Sequence, residues 1–369
     1  MDIIGVLTTE LGVKRTQVEA AVGLIDEGNT IPFIARYRKE VTGALNDEVL
    51  RTLDERLTYL RNLEEKKATV LATIEEQGAL TPELRKKIED AMTQVAVDDL
   101  YLPYRPKRRT RAMIAKEKGL APLAQIIAEE APSAPILTLA LDYVSEEKGV
   151  ADAKAAIAGA QDILAEQVSD NADFRQHIRE AVWERGIWQT EGREENKDRT
   201  YEMYFTYEEA IKKAAGYRIL AINRGEKEKA LAVKVVAPEE DILRYLKKQM
   251  IHKDNPETTP ILEAAIADSY KRLIFPAIER DIRNEMTERA ENSAIEVFDK
   301  NLKQLLMQPP IPGRVVLGWD PAFRTGCKLA VVDPTGKVLD TVVIYPTAPQ
   351  FKVEEAKRVL KALIKKYGI

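Results

Sequence analysis

Between residues 46 and 77 the apolar side chains Val49, Leu53, Leu57, Leu60, Leu63, Val70, Leu71 and Ile74 return at close to helical spacing. Such a stripe makes one long helix that must bury one face against other helices, and this limits the fold more than any other feature of the chain. Asn46 is placed to cap it. The same period recurs on both sides. Three short helices are expected within 1–40, where residues 14–26 set Val18, Ala21, Val22 and Ile25 on one face. EGNT (27–30) then turns the chain, and Pro32 suits the first turn of PFIARYRKE. Helix, turn with Gly28 and helix is compatible with a helix-turn-helix-like part over about 1–75, although most such pairs are plain core packing. Thr81 and Pro82 open another helix, and more are expected at 123–130, 136–144, 151–169 and 172–185.

Composition fits this picture and removes several chemistries. At 369 residues two or more domains are expected. Charged residues make up 31% and aromatic residues only 6%, which suits helices with solvated faces. Cys327 is the only cysteine, so disulfides are excluded and a reducing, cytoplasmic setting is expected. With His177 and His252 as the only histidines, a Cys/His zinc site is excluded and a histidine-based nucleophilic mechanism is disfavoured. No apolar run is long enough for a membrane span. The net charge of −4 gives no global nucleic-acid signal, so such binding would need a local patch.

One patch is plain. Between 105 and 118 lie seven Lys/Arg against one Glu, pinned by Pro103 and Pro106 and flanked by Tyr101 and Tyr104. Arg105, Lys107, Arg108, Arg109 and Arg111 can neutralise phosphates, giving salt-sensitive, sequence-tolerant binding. The flanking tyrosines can stack on bases or simply pack. The bland alternative is a solvated charged face. Arg36, Arg38 and Lys39 form a second, weaker patch.

The texture changes after Trp188. TEGREENKDRT reads as a polar loop, TYEEAIKKA as a helix, and YRILAINRGEKEKALAVKVV (217–236) as a β-hairpin about a Gly-containing turn. Helices follow over 258–275 and 277–307, with Pro276 expected to kink or break them. PPIPG (309–313) reads as a linker between a helical region, 1–308, and a last domain from 314. There RVVLGW, CKLAVVD and VLDTVVIY alternate as strands, and VEEAKRVLKALIKKYG forms a helix with Ala356, Val359, Leu360 and Leu363 inward. The fold class is therefore mainly α with a small β-hairpin, followed by the βββα start of a ribonuclease-H-like α/β domain. The helix should lead to a fourth strand beside the first, so the sheet looks unfinished and the chain reads as a fragment of a longer protein.

In that fold Asp320 stands where a first metal-binding acid would sit. Two-metal hydrolysis needs several carboxylates, and Asp333 and Asp340 are placed to serve turns. A Mg-dependent nuclease or Holliday-junction resolvase built on Asp320 is the rival reading. Asp320, Arg324, Thr325, Gly326 and Lys328 also fit loosely a nucleotide-phosphate loop of the actin and sugar-kinase class, without its glycine density. Arg324 and Lys328 count as further candidate phosphate contacts.

Four stretches resemble the bacterial Tex proteins: 28–57, 98–124, 220–231 and 318–341, the last reading GWDPAFRTGCKLAVVDPTGKVLDT. The resemblance places the chain as the N-terminal half of a Tex-type transcription accessory protein, with the start of its YqgF domain. It implies RNA as partner and a YqgF domain without a reliable catalytic set; the reading adopted with it expects DNA as a second nucleic acid, RNA polymerase or the ribosome as docking partner, and no cofactor. Ala322 stands where the family loop usually has Gly, so close backbone approach of a ligand is not demanded there. A purely structural platform is the third reading.

Overall fold

The computed structural model describes residues 1–193, 199–309 and 313–369. It forms two compact units, Met1–Glu291 and Asn292–Ile369.

The first unit opens with α1 (Ile3–Leu11), α2 (Arg15–Asp26), α3 (Ile31–Tyr37) and α4 (Asp47–Glu76). Asn46 caps α4 by accepting the N–H of Val49 at 2.8 Å. Leu50, Leu53, Leu57 and Leu60 of α4 close a first core with Leu7, Val18, Ala21 and Ile34. Further along the same stripe, Leu63, Val70 and Ile74 build a second core with Ile88 and Val97. Those two residues come from α5 (Pro82–Asp90) and α6 (Gln94–Tyr101). One long amphipathic helix thus serves two cores in succession.

Next come α7 (Arg111–Glu117), α8 (Ala121–Ala128), α9 (Ile136–Leu141), α10 (Ala153–Ser169) and α11 (Ala172–Arg185). Helix α10 is rich in small buried residues, Ala153, Ala156 and Ala160 among them, which lets its neighbours approach closely. A Cβ on Gly159 would lie 2.3 Å from the Leu120 side chain, so Leu120 packs into the space that a side chain at 159 would take. The turn after α8 places Glu130 at φ +54 with its carboxylate buried. That carboxylate accepts the N–H groups of His252 and Lys253 at 2.9 and 2.7 Å, tying together segments far apart in sequence.

A three-stranded antiparallel sheet follows, with β1 (Ile187–Gly192) between β2 (Thr206–Ala210) and β3 (Leu231–Val236). Two expectations are corrected here. TYEEAIKKA is edge strand β2 and a short 3-10 turn, because pairing along β1 overrides its helical composition. Residues 217–236 are not a hairpin: they form α12 (Gly216–Lys227) and then β3. Ile219 and Ile222 are buried at helical spacing, and Gly225 sits where a Cβ would lie 2.7 Å from Leu231. Its glycine serves close packing, not a turn. The polar loop expected after β1 falls partly on residues 194–198, which lie outside the described residues.

Helices α13 (Glu239–Met250) and α14 (Thr259–Asp268) precede a π-helical stretch, Ser269–Ile274, and then α15 (Phe275–Leu306). Pro276 therefore does not break the helix. The N–H of Phe275 reaches back five residues to Tyr270, and the widened turn accommodates a proline that has no N–H to give.

The second unit contains the last turns of α15 and a sheet of β4 (Val316–Asp320), β5 (Cys327–Val332) and β6 (Val338–Ile344) in that order, all antiparallel. Cys327, Leu329 and Val331 share a core with Ala356 and Leu363 of α16 (Val353–Tyr367). The βββα run is as the alternation implied. Residues 310–312 of the expected linker lie outside the described residues. Described helices include none long and apolar enough to cross a membrane.

Asp99 of α6 is buried and binds Arg175 and Arg179 of α11 at 2.6 and 2.8 Å. Removing it strands a buried guanidinium. Asp99→Ala should destabilise the first unit by about 3–5 kcal/mol, read as a lowered midpoint in chemical denaturation.

Candidate nucleic-acid interface

The basic segment divides into cations that look inward and cations that look outward. The turn after α6 is closed by N–H groups of Tyr104 and Arg105 bonding to the carbonyl of Tyr101 at 2.9 and 3.0 Å. Gln77 at the end of α4 donates to the Tyr104 carbonyl at 3.0 Å. Thr110 caps α7 by accepting the N–H of Met113 at 3.1 Å. Between these anchors Lys107 turns inward, with Nζ 2.5 Å from Asp170 and 3.2 Å from Glu166.

Those carboxylates belong to a stripe on α10 and its C-cap: Asp162, Glu166 and Asp170, four residues apart, share one face. Lys116 approaches Glu166 at 3.8 Å, and Arg272 pairs with Asp162 at 3.4 Å and with Asp268 at 2.5 Å. Burial pushes the Asp162 and Asp170 carboxyls above the usual range, while Arg272 and Arg111 oppose the shift at Asp162 and Lys107 opposes it at Asp170.

Arg105, Arg108, Arg109 and Arg111 are exposed. Arg109 pairs with Glu117 at 3.3 Å across two solvated side chains, a contact of small worth. Among the described residues Arg105 and Arg108 have no ion pair. Tyr101 and Tyr104 pack against the core around Leu63 and Ile88, so the flanking aromatics lean to packing. Of the five cations, the sequence could not single out Lys107 as an internal anchor.

In the second patch Arg36 and Lys39 are exposed, and the Arg38 guanidinium lies 5.1 Å from the Phe33 ring centre. In the other unit Asp320 ends β4, exposed and opposite Lys328 on β5. Arg324 and Lys328 are exposed too. The two other candidate acids are used separately. Asp333 accepts N–H groups of Thr335 and Lys337 and the Thr335 hydroxyl, whose bond above all holds its carboxyl below the usual range. Asp340 accepts from the Tyr367 hydroxyl at 2.8 Å and pairs with Lys366 at 3.2 Å, pinning the end of α16. Among the described residues no group of three or more His, Cys, Asp or Glu could hold a metal ion.

Three family profiles match in order. "Tex-like protein N-terminal domain" covers 1–75, "Tex central region-like" covers 131–298, and "Tex protein YqgF-like domain" covers 314–369. The chain is 47% identical over 366 residues to YdcI of Bacillus subtilis, covering 98% of this chain and 51% of that protein. It is 40% identical over 394 residues to "Transcriptional accessory protein Tex" of Neisseria gonorrhoeae, covering 100% of this chain and 49% of that one. It is 30% identical over 361 residues to human "S1 RNA-binding domain-containing protein 1", covering 93% of this chain and 36% of that one. The chain thus spans about half the length of the bacterial relatives it matches. These matches correct the expectation of an N-terminal half with the start of a YqgF domain. Tex matches run across nearly the whole chain, and the YqgF-like match lies at its C-terminal end, 314–369.

Because the folded pKa of Asp170 lies above its unfolded value, this carboxyl favours the fold at pH below the unfolded value. That contribution is lost as pH rises through the raised one. At neutral pH its buried charge therefore depends on Lys107. Lys107→Ala should cost about 1–3 kcal/mol at pH 7. The loss should shrink towards pH 4 as Asp170 takes up a proton, which denaturation at the two pH values measures.

Proposed function

The chain belongs to the Tex family, and from that premise we propose that it is an RNA-binding transcription accessory protein that works without catalysis. The observation that carries this reading is the outward set Arg105, Arg108 and Arg111. They sit on or beside a turn fixed by Pro103, Pro106 and the inward Lys107–Asp170 pair. Cations held on a fixed backbone lose less conformational freedom on meeting phosphate than cations on a free loop.

The names of relatives support the same class: one is a transcriptional accessory protein and another carries an S1 RNA-binding domain. In this reading 1–308 form a helical region with a helix-turn-helix-like part, 309–313 a linker, and 314–369 a YqgF domain of ribonuclease-H-like form. The βββα order and the α16 packing agree with that last assignment. Arg36, Arg38, Arg324 and Lys328 are subsidiary phosphate contacts. RNA is the principal ligand, DNA a second, and RNA polymerase or the ribosome the surface on which the protein docks.

The affinity for a single-stranded RNA, followed across salt concentration, tests this. Arg105→Ala/Arg108→Ala/Arg111→Ala should make the negative slope of log K against log salt shallower by about 2, since each single-strand phosphate contact contributes roughly 0.7 to its steepness. An unchanged slope would leave the platform reading in its place. Labelled RNA or DNA with Mg should stay intact, and Asp320→Asn should alter nothing. Cleavage that disappears in that variant would restore the nuclease.

A further inference from the structure

Helix α3 carries an aromatic surface that the packing of the first unit does not use. Ile34 is fully buried in the core with Leu50 and Leu53, so the helix is seated. Its other side presents Phe33 and Tyr37, one turn apart, with ring centres 5.3 Å apart and planes tilted by 47°. Tyr37 is 61% exposed, and Val41 just beyond the helix is exposed as well. Isolated apolar side chains on a surface are ordinary, but two exposed rings paired one turn apart form a patch.

Cations surround this patch. The Arg38 guanidinium lies 5.1 Å from the Phe33 ring centre and donates to the Tyr37 carbonyl at 3.2 Å, which holds it beside the rings. Arg36 and Lys39, close by in sequence, are exposed, and Glu40 is the one acid of the segment from 31 to 41. An exposed ring on a cation-rich segment is an arrangement on which unpaired bases can stack while phosphates meet the neighbouring charge. A duplex hides its base faces and could use only the cations.

We propose that Tyr37, backed by Phe33 and Arg38, is a stacking platform for unpaired bases of a single-stranded nucleic acid, with Arg36 and Lys39 on the adjoining phosphates. This rests on the reading of the chain as a nucleic-acid-binding protein, and it names the strand type that the protein accepts. The basic turn near 105–111 holds charge without free rings. The α3 surface supplies the part that distinguishes a single strand from a duplex.

The test uses the full 369-residue chain and fluorescence anisotropy with three labelled probes: an unstructured uridine-rich RNA, a duplex of equal length, and a single strand lacking bases. Tyr37→Ala should weaken binding of the uridine-rich RNA by about tenfold at every salt concentration, with the salt slope unchanged. Tyr37→Phe should bind as the native protein does, because the ring is kept. Neither variant should alter binding of the duplex or of the base-free strand. Equal affinity of Tyr37→Ala and native protein for the uridine-rich RNA would overturn the platform. If the Arg105/Arg108/Arg111 variant were still weakened, the broader reading would survive that loss. Equal weakening on all three probes would also overturn stacking and assign the surface to another role. Absence of any RNA binding by the native chain would remove both readings together.

Discussion

The acidic stripe of α10, Asp162, Glu166 and Asp170, receives cations from opposite directions in the sequence: Lys107 and Lys116 from before it, Arg272 from after it. Much of the first unit depends on that meeting. The apolar side of the same helix packs Ala156, Ala160, Ile163 and Leu164 against α7, α8, α9 and α14. Small residues bring those helices close, and the partly buried carboxylates on its polar side would be costly if left alone. A basic segment is thereby required to lie beside α10, whatever else it does.

That requirement explains how one run of like charges can have two physical roles. Lys107 is needed by the fold, since it neutralises a carboxyl that burial already pushes towards protonation. Arg105 and Arg108 are carried on the same short backbone without an ion pair of their own among the described residues. Fixing the first leaves the others displayed. The two prolines and the Tyr101 carbonyl bonds shorten the segment's reach, so the displayed guanidinium groups stay near the anchored turn.

Local signals in the sequence were sufficient for what is local in the structure. The α4 stripe, the Asn46 and Thr81 caps and the βββα alternation each depend on neighbours within a turn or a strand. In residues 206–210 and 216–227 the local pattern points to the wrong state, because their state depends on partners elsewhere. β2 is a strand since β1 offers it an edge, and α12 is a helix since Ile219 and Ile222 meet a core supplied by other elements. The charged clusters were illegible for the same reason. Asp99 lies 76 residues from Arg175, Lys107 63 from Asp170, and Glu130 122 from His252. At the α3 patch Arg36 and Arg38 were visible as charge. The outward rings of Phe33 and Tyr37 were not, because a sequence does not say which face of a seven-residue helix is covered.

Phosphate contact at the anchored turn is the central claim, and the most direct measurement is amide hydrogen exchange with and without a saturating single-stranded RNA. Backbone amides between 104 and 111 should be slowed by RNA, with α3 and the residue after it slowed in parallel, while β4 to β6 exchange as before. Protection confined to the sheet around Asp320, with the 104–111 turn unchanged, would contradict the account and move the interface to the second unit.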